Sequence, residues 1–156
     1  MNILYITYDG LLEPLGQSQV LAYQEKLGNN FNIILFSYEK SVDLKNTKLL
    51  RSIRERLSHA SVKWIYRKYH KFPSFLSTFY DLFFGTLHCS YLVWRYQIKI
   101  IHARSYPPAL IALVIKKLFG IQFIFDMRGF WADERIDGEL WESDSKIYKI
   151  TKWFEK

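Results

Sequence analysis

The chain has 156 residues, 49% of them apolar and 24% charged, which suits a globular core and excludes a collagen-like or low-complexity chain. Lys and Arg number 22 against 15 Asp and Glu, a net charge of +7; residues 1–30 and 126–156 each carry −2, while residues 31–125 carry +11. A basic middle calls for an anionic partner such as a phosphate, a lipid headgroup or a nucleic acid, and Cys89, the single cysteine, cannot form a disulfide within the chain.

The opening run Asn2–Tyr8, NILYITY, is apolar and rich in β-branched and aromatic residues. It reads as a buried strand closed by Asp9-Gly10, not as a secretory signal, since no basic segment precedes it. From Gln17 the pattern turns helical, with Val20, Leu21, Ala22 and Leu27 as an inward stripe and Gly28-Asn29-Asn30 as a stop. Phe31–Ser37 is a second strand, residues 43–58 a surface helix, and Ser61–Tyr66 a weaker third strand. A stretch dense in Phe, Leu and Tyr runs from Pro73 to Tyr96. Within it, Phe75–Trp94 approaches the length that spans a bilayer, yet Asp81 and His88 interrupt it. A charge in mid-span is costly, so a buried or partly membrane-contacting helix is expected. Lys99–Ala103 is a fourth strand, and Pro107-Pro108 and Gly120 bracket an apolar helix. Ile121–Asp126 is a fifth strand, and the segment from Glu142 to Lys156 looks helical.

Strands that read as continuous apolar runs and alternate with helices imply an α/β domain with a doubly wound, Rossmann-like parallel sheet. Ligands of such sheets bind beyond the carboxyl ends of the strands, which selects three loops: 9–18, 104–107 and 126–138. The first matches neither G-x-G-x-x-G nor a phosphate loop ending in Gly-Lys-Ser/Thr. Gly16, Gln17 and Ser18 could still offer backbone N–H groups to a phosphate; the alternative is a plain strand-to-helix turn. The second places Arg104, Ser105 and Tyr106 together, either for bidentate anion recognition or as a salt-bridged arginine and a helix-capping serine. His102, within the strand, reads as a core histidine. The third, from Asp126 through Arg128, Trp131, Asp133 and Glu134, gathers acids, guanidiniums and an indole, the composition of a binding loop or of an internal ion-pair network. No metal-ligand pattern and no nucleic-acid recognition motif stands out. Lys63–Lys71, KWIYRKYHK, interleaves basic and aromatic residues and fits a strand edge followed by a solvated basic loop, contact with single-stranded nucleic acid, or weak, salt-reversible contact with an anionic membrane surface.

Three segments in order, DGLLEPLGQSQV, IIHARSYPPALIALVIKKLFG and FIFDMRGFWADERIDGELW, resemble the N-terminal half of glycosyltransferase family 4, whose members have the two-Rossmann-domain GT-B fold. The resemblance implies transfer of a sugar from a nucleotide-sugar donor, with retention of configuration and without a required metal. It makes residues 1–156 the acceptor-side domain, with no cofactor of its own and with the donor-binding domain missing, so that the chain alone is expected to be inactive. It implies a sugar or lipid-linked acceptor, Arg128 in the catalytic place, and Gly16, Gln17, Ser18, Arg104, Ser105, Asp126, Trp131 and Glu134 as substrate-binding residues. Gly129 and Ala132 depart from the family pattern, which usually has an acid and a Pro there. The implied setting is polysaccharide or glycolipid assembly in the cytoplasm, at the inner face of the plasma membrane. The alternative is a non-catalytic subunit of a split transferase that binds the acceptor or recruits it from the membrane.

Overall fold

The apolar runs form five parallel strands: β1 (Asn2–Thr7), β2 (Asn32–Glu39), β3 (Val62–Lys68), β4 (Ile100–Arg104) and β5 (Gln122–Asp126), in the spatial order β3-β2-β1-β4-β5. This computed structural model describes residues 1–70, 74–129, 133, 136–138, 142, 144–146, 148–149 and 152. The chain divides into two compact units, Met1–Asp126 and Met127–Lys156, and the sheet lies wholly in the first. It is the expected doubly wound Rossmann-like sheet.

Side chains alternate across the sheet because the strand period is two. Leu4, Ile6, Ile34 and Phe36 join one core with Ile101 and Ala103. Cys89, Leu92 and Val93 of α3 (Ser74–Tyr96) and Ile111, Ala112 and Ile115 of α4 (Tyr106–Phe119) complete it. Tyr5, Ile33, Leu35, Val62 and Trp64 face the other core, shared with Val20 and Leu21 and with Ile53 and Leu57 of α2 (Thr47–His59). Gly120 ends α4 in the left-handed conformation, φ 68°, its N–H donating to the Lys116 carbonyl at 2.8 Å. That is the expected glycine stop.

The first helix departs from expectation. It opens with a π-helical turn, Gly16–Leu21, before α1 (Ala22–Gly28). A π turn inserts an extra residue and rotates the helical turns after it, so Val20, Leu21, Gln24 and Gly28 are buried while Ala22 and Leu27 stay half-exposed. Gln24 pays for this, in that neither end of its fully buried amide has a hydrogen-bond partner among the described residues. A buried unsatisfied polar group costs about 1–3 kcal/mol. Gln24→Met, similar in shape and apolar, should therefore raise the unfolding free energy by about 1 kcal/mol, seen as a later urea midpoint at constant m-value; a lower midpoint would show that the amide does bond in solution.

Candidate functional site

The strand order changes direction between β1 and β4: from β1 the chain winds outward through β2 to β3, then crosses back to β4. The crevice beyond the carboxyl ends at such a switch point is where open α/β sheets bind ligands. Here it holds Asp9, two residues past β1, and Arg104, the last residue of β4. Arg104 is nearly buried, and its guanidinium donates through Nε to Asp9 Oδ2 (3.3 Å), through Nη1 to Asp126 Oδ2 (3.0 Å) and through Nη2 to Gln19 Oε1 (2.5 Å). One side chain thus ties together the ends of β1, β4 and β5 and the π turn. Burial works against its charge, but the Tyr5 hydroxyl, Asp126 and Asp9 outweigh it and hold the guanidinium firmly protonated.

Ser105 follows at φ 73°, ψ 172°, a region that residues other than glycine seldom occupy and that costs about 1–3 kcal/mol. Its N–H donates to the Asp126 carbonyl (3.0 Å) and its carbonyl accepts from Ala109 N (3.1 Å), which fixes the turn. Its hydroxyl does not cap α4, so the capping alternative is not the arrangement found. With Pro107 and Pro108 lacking N–H groups, the first turn of α4 has few donors for an anion. His102 packs its ring edge-on to Tyr5 at 4.7 Å, and burial pulls its pKa down, overriding the upward pull of Asp126.

The first loop is braced from beneath. Glu39, fully buried at the end of β2, accepts from Leu11 N (2.8 Å), Leu12 N (3.2 Å) and the Ser37 hydroxyl (2.6 Å), and that hydroxyl accepts from Trp64 Nε1 (2.9 Å). Burial raises the Glu39 pKa despite these donors. Gln17 N donates to the Glu13 carbonyl, Gln17 Nε2 to the Leu12 carbonyl and Ser18 Oγ to the Leu15 carbonyl. Gly16 is buried where a Cβ would collide with the Gly10 carbonyl. Of the backbone N–H groups expected to face a phosphate, that of Gln17 is thus occupied within the loop.

A third cluster escaped the sequence reading. Asp81 of α3 has a fully buried side chain and accepts from His70 Nδ1 (2.6 Å), from His70 N (3.0 Å) and weakly from the Tyr8 hydroxyl (3.4 Å). Gly85 keeps the space open for the Tyr38 hydroxyl, which donates to the Asp81 carbonyl at 2.7 Å. Tyr8 and Asp9 are neighbours, so the His70 and Arg104 clusters meet at the end of β1. The available signal was Asp81 itself, an acid inside an apolar helix.

Of the third loop, Asp126 belongs to the first unit. In the second unit Arg128 is exposed, and Asp133 accepts from the Tyr148 hydroxyl (3.0 Å) and Lys152 Nζ (2.5 Å). Lys152, then Tyr148, hold the Asp133 carboxyl below its usual range. Trp131 and Glu134 lie outside the described residues. No group of three His, Cys, Asp or Glu is placed to hold a metal among the described residues.

No family model matches the sequence, and no curated protein matches it significantly. Among solved structures, a candidate UDP-N-acetylglucosamine 2-epimerase from Listeria monocytogenes superposes with a TM-score of 0.52 at 9% identity, over 96% of this chain and 37% of its own. The likeness is one of fold. A glycosyltransferase from Rickettsia africae ESF-5 aligns with a TM-score of 0.49 at 14% identity, over 80% of this chain and 28% of its own. The chain therefore spans well under half the length of either.

Proposed function

We propose that the chain is the acceptor-side domain of a retaining glycosyltransferase of family 4, acting with a nucleotide-sugar donor held by a second domain or chain. The observation that carries this reading is the switch-point crevice. Asp9 and Asp126 bring two carboxylates to one guanidinium, with the Gln19 amide beside them. Their formal balance is negative, which suits the hydroxyls of a sugar acceptor better than a diphosphate. The three sequence segments that resemble the family support the same reading, and the fold is compatible with it.

In this reading Arg104, Asp9 and Asp126 orient acceptor hydroxyls, with Ser105 at the same turn, and the loop of Gly16, Gln17 and Ser18 forms the wall facing the donor. The resemblance gives Arg128 the catalytic role and Trp131 and Glu134 substrate-binding roles. The acceptor is a polysaccharide or a lipid-linked sugar at the cytoplasmic face of the membrane. Holding donor and acceptor together in the reactive orientation contributes roughly 7–11 kcal/mol to such a reaction, so residues 1–156 alone should leave nucleotide sugars intact. Turnover by residues 1–156 without a donor-binding half would overturn the assignment.

With that half supplied, Arg128→Ala should lower kcat/KM by roughly 10–150-fold, the loss of one charge-assisted hydrogen bond. The unfolding midpoint should scarcely move, because Arg128 is exposed. Near-normal transfer with a sharply lowered midpoint would instead make Arg128 a structural residue. Should no transfer appear with any donor half while saccharide binding persists, the chain is the acceptor-presenting subunit of a split system.

A further inference from the structure

Helix α3 is built inside out. Among its described side chains, the exposed positions are Leu76, Phe79, Tyr80, Phe83, Phe84, Leu87, Tyr91, Trp94 and Arg95. All but the last are apolar or aromatic, and Leu76, Phe79 and Trp94 are 65%, 64% and 65% exposed. Leu76, Tyr80, Phe83, Leu87, Tyr91 and Trp94 recur every three or four residues, one stripe along a helix about 35 Å long. Its polar residues do the reverse: Ser77 and Asp81 are buried, and Thr86, His88 and Ser90 are half-buried. An ordinary surface helix keeps its apolar stripe toward the core, and a contiguous apolar surface of this extent marks an interaction site.

The charge around the stripe selects the partner. Residues 57–125 contain nine Lys and Arg and a single acid, Asp81, which is fully buried. Lys63 and Arg67 of β3 lie over the Tyr96 and Phe84 rings at 4.7 and 5.7 Å, and Arg95 lies over Tyr96 at 5.4 Å. The stripe is thus rimmed by cations with no exposed acid along α3. A second copy docked on this face would bring like charge against like, whereas an anionic bilayer complements the rim and accepts the aromatic rings at its headgroup boundary. No helix among the described residues is long and apolar enough to cross a membrane. We propose that the outer face of α3 is a membrane-binding surface on which the helix lies flat in an anionic bilayer, Phe79, Phe83 and Trp94 inserted and the exposed Lys63 and Arg95 at the headgroups. The proposal stands independently of the sugar-transfer reading. It joins part of the basic strand edge at Lys63–Lys71 to the outer face of α3 in one surface whose hold is largely apolar.

The test is sedimentation of the 156-residue chain with vesicles of phosphatidylcholine alone or with about 30% phosphatidylglycerol. Binding should strongly favour the anionic vesicles and fall, without vanishing, in roughly 0.5 M salt. Phe79→Ser/Phe83→Ser/Trp94→Ser should cut binding more than about tenfold, and Lys63→Gln/Arg95→Gln on the order of tenfold at low salt. Circular dichroism on both variants should show the wild-type spectrum; if the triple variant does not fold, the charge variant and the lipid dependence decide the matter. Equal binding to both vesicle types, or undiminished binding by a folded triple variant, would overturn the proposal. So would a wild-type dimer in solution that the triple variant makes monomeric, since that outcome assigns the face to a second copy.

Discussion

His70→Ala should destabilise the chain by about 3 kcal/mol, the scale on which a buried charge is felt when its partner is removed. The His70 side chain is 38% exposed, and an exposed ion pair usually contributes under about 1 kcal/mol. Asp81, however, has no exposure at all. Without the ring its carboxylate keeps, among the described residues, only the His70 N–H and the long contact to Tyr8. Asp81→Val should cost less, because replacing a buried charge with an apolar group removes its desolvation penalty. The double variant His70→Ala/Asp81→Val should then be more stable than His70→Ala alone, a coupling that urea denaturation of the four proteins measures directly. A His70→Ala value within about 0.5 kcal/mol of wild type would show that water already serves Asp81.

The second large effect belongs to Glu39. Glu39→Ala leaves Leu11 N, Leu12 N and the Ser37 hydroxyl without their acceptor, a loss on the order of 3 kcal/mol after the relief of removing a buried charge. The pH dependence identifies the cause. Burial raises the folded pKa of Glu39 above its ordinary value near 4.5, so the folded state binds its proton more tightly than the unfolded chain. Stability from this group is therefore fully present below about pH 4.5 and is lost as pH rises through the folded pKa. Glu39→Gln, which can present an acceptor to only one side of the cluster, should lie furthest below wild type in acid and approach it as pH rises. A gap between the two that widens with pH would mean that the carboxylate is better stabilised by its donors than by water.

The sheet was legible because each strand is a short apolar run closed by turn residues; Asn2–Thr7 and Gln122–Asp126 lie within a residue of their expected bounds. The first helix was misjudged where a π turn shifted the register and placed Gln24 in the core, a displacement that periodicity does not encode. Arg104 was visible from its place at a strand end. Its partners Asp9, Gln19 and Asp126 come from separate elements, so their convergence depends on strand order. Asp81 and His70 were hidden in the same way: one looked like an interruption in a hydrophobic helix, the other like part of a solvated basic loop. Composition revealed the apolar length of α3, but the direction its aromatic face takes is set by which residues the sheet and α4 cover.

The central claim is that the crevice between β1 and β4 takes the hydroxyls of a sugar acceptor. Its most direct test is amide and side-chain chemical-shift mapping of the isotope-labelled chain during titration with methyl glycosides, with UDP in parallel. Saccharide should shift the signals of Asp9, Gln19, Arg104 and Asp126 saturably, with UDP leaving them in place. Shifts at these residues with UDP alone, or saccharide shifts confined to other parts of the chain, would contradict it.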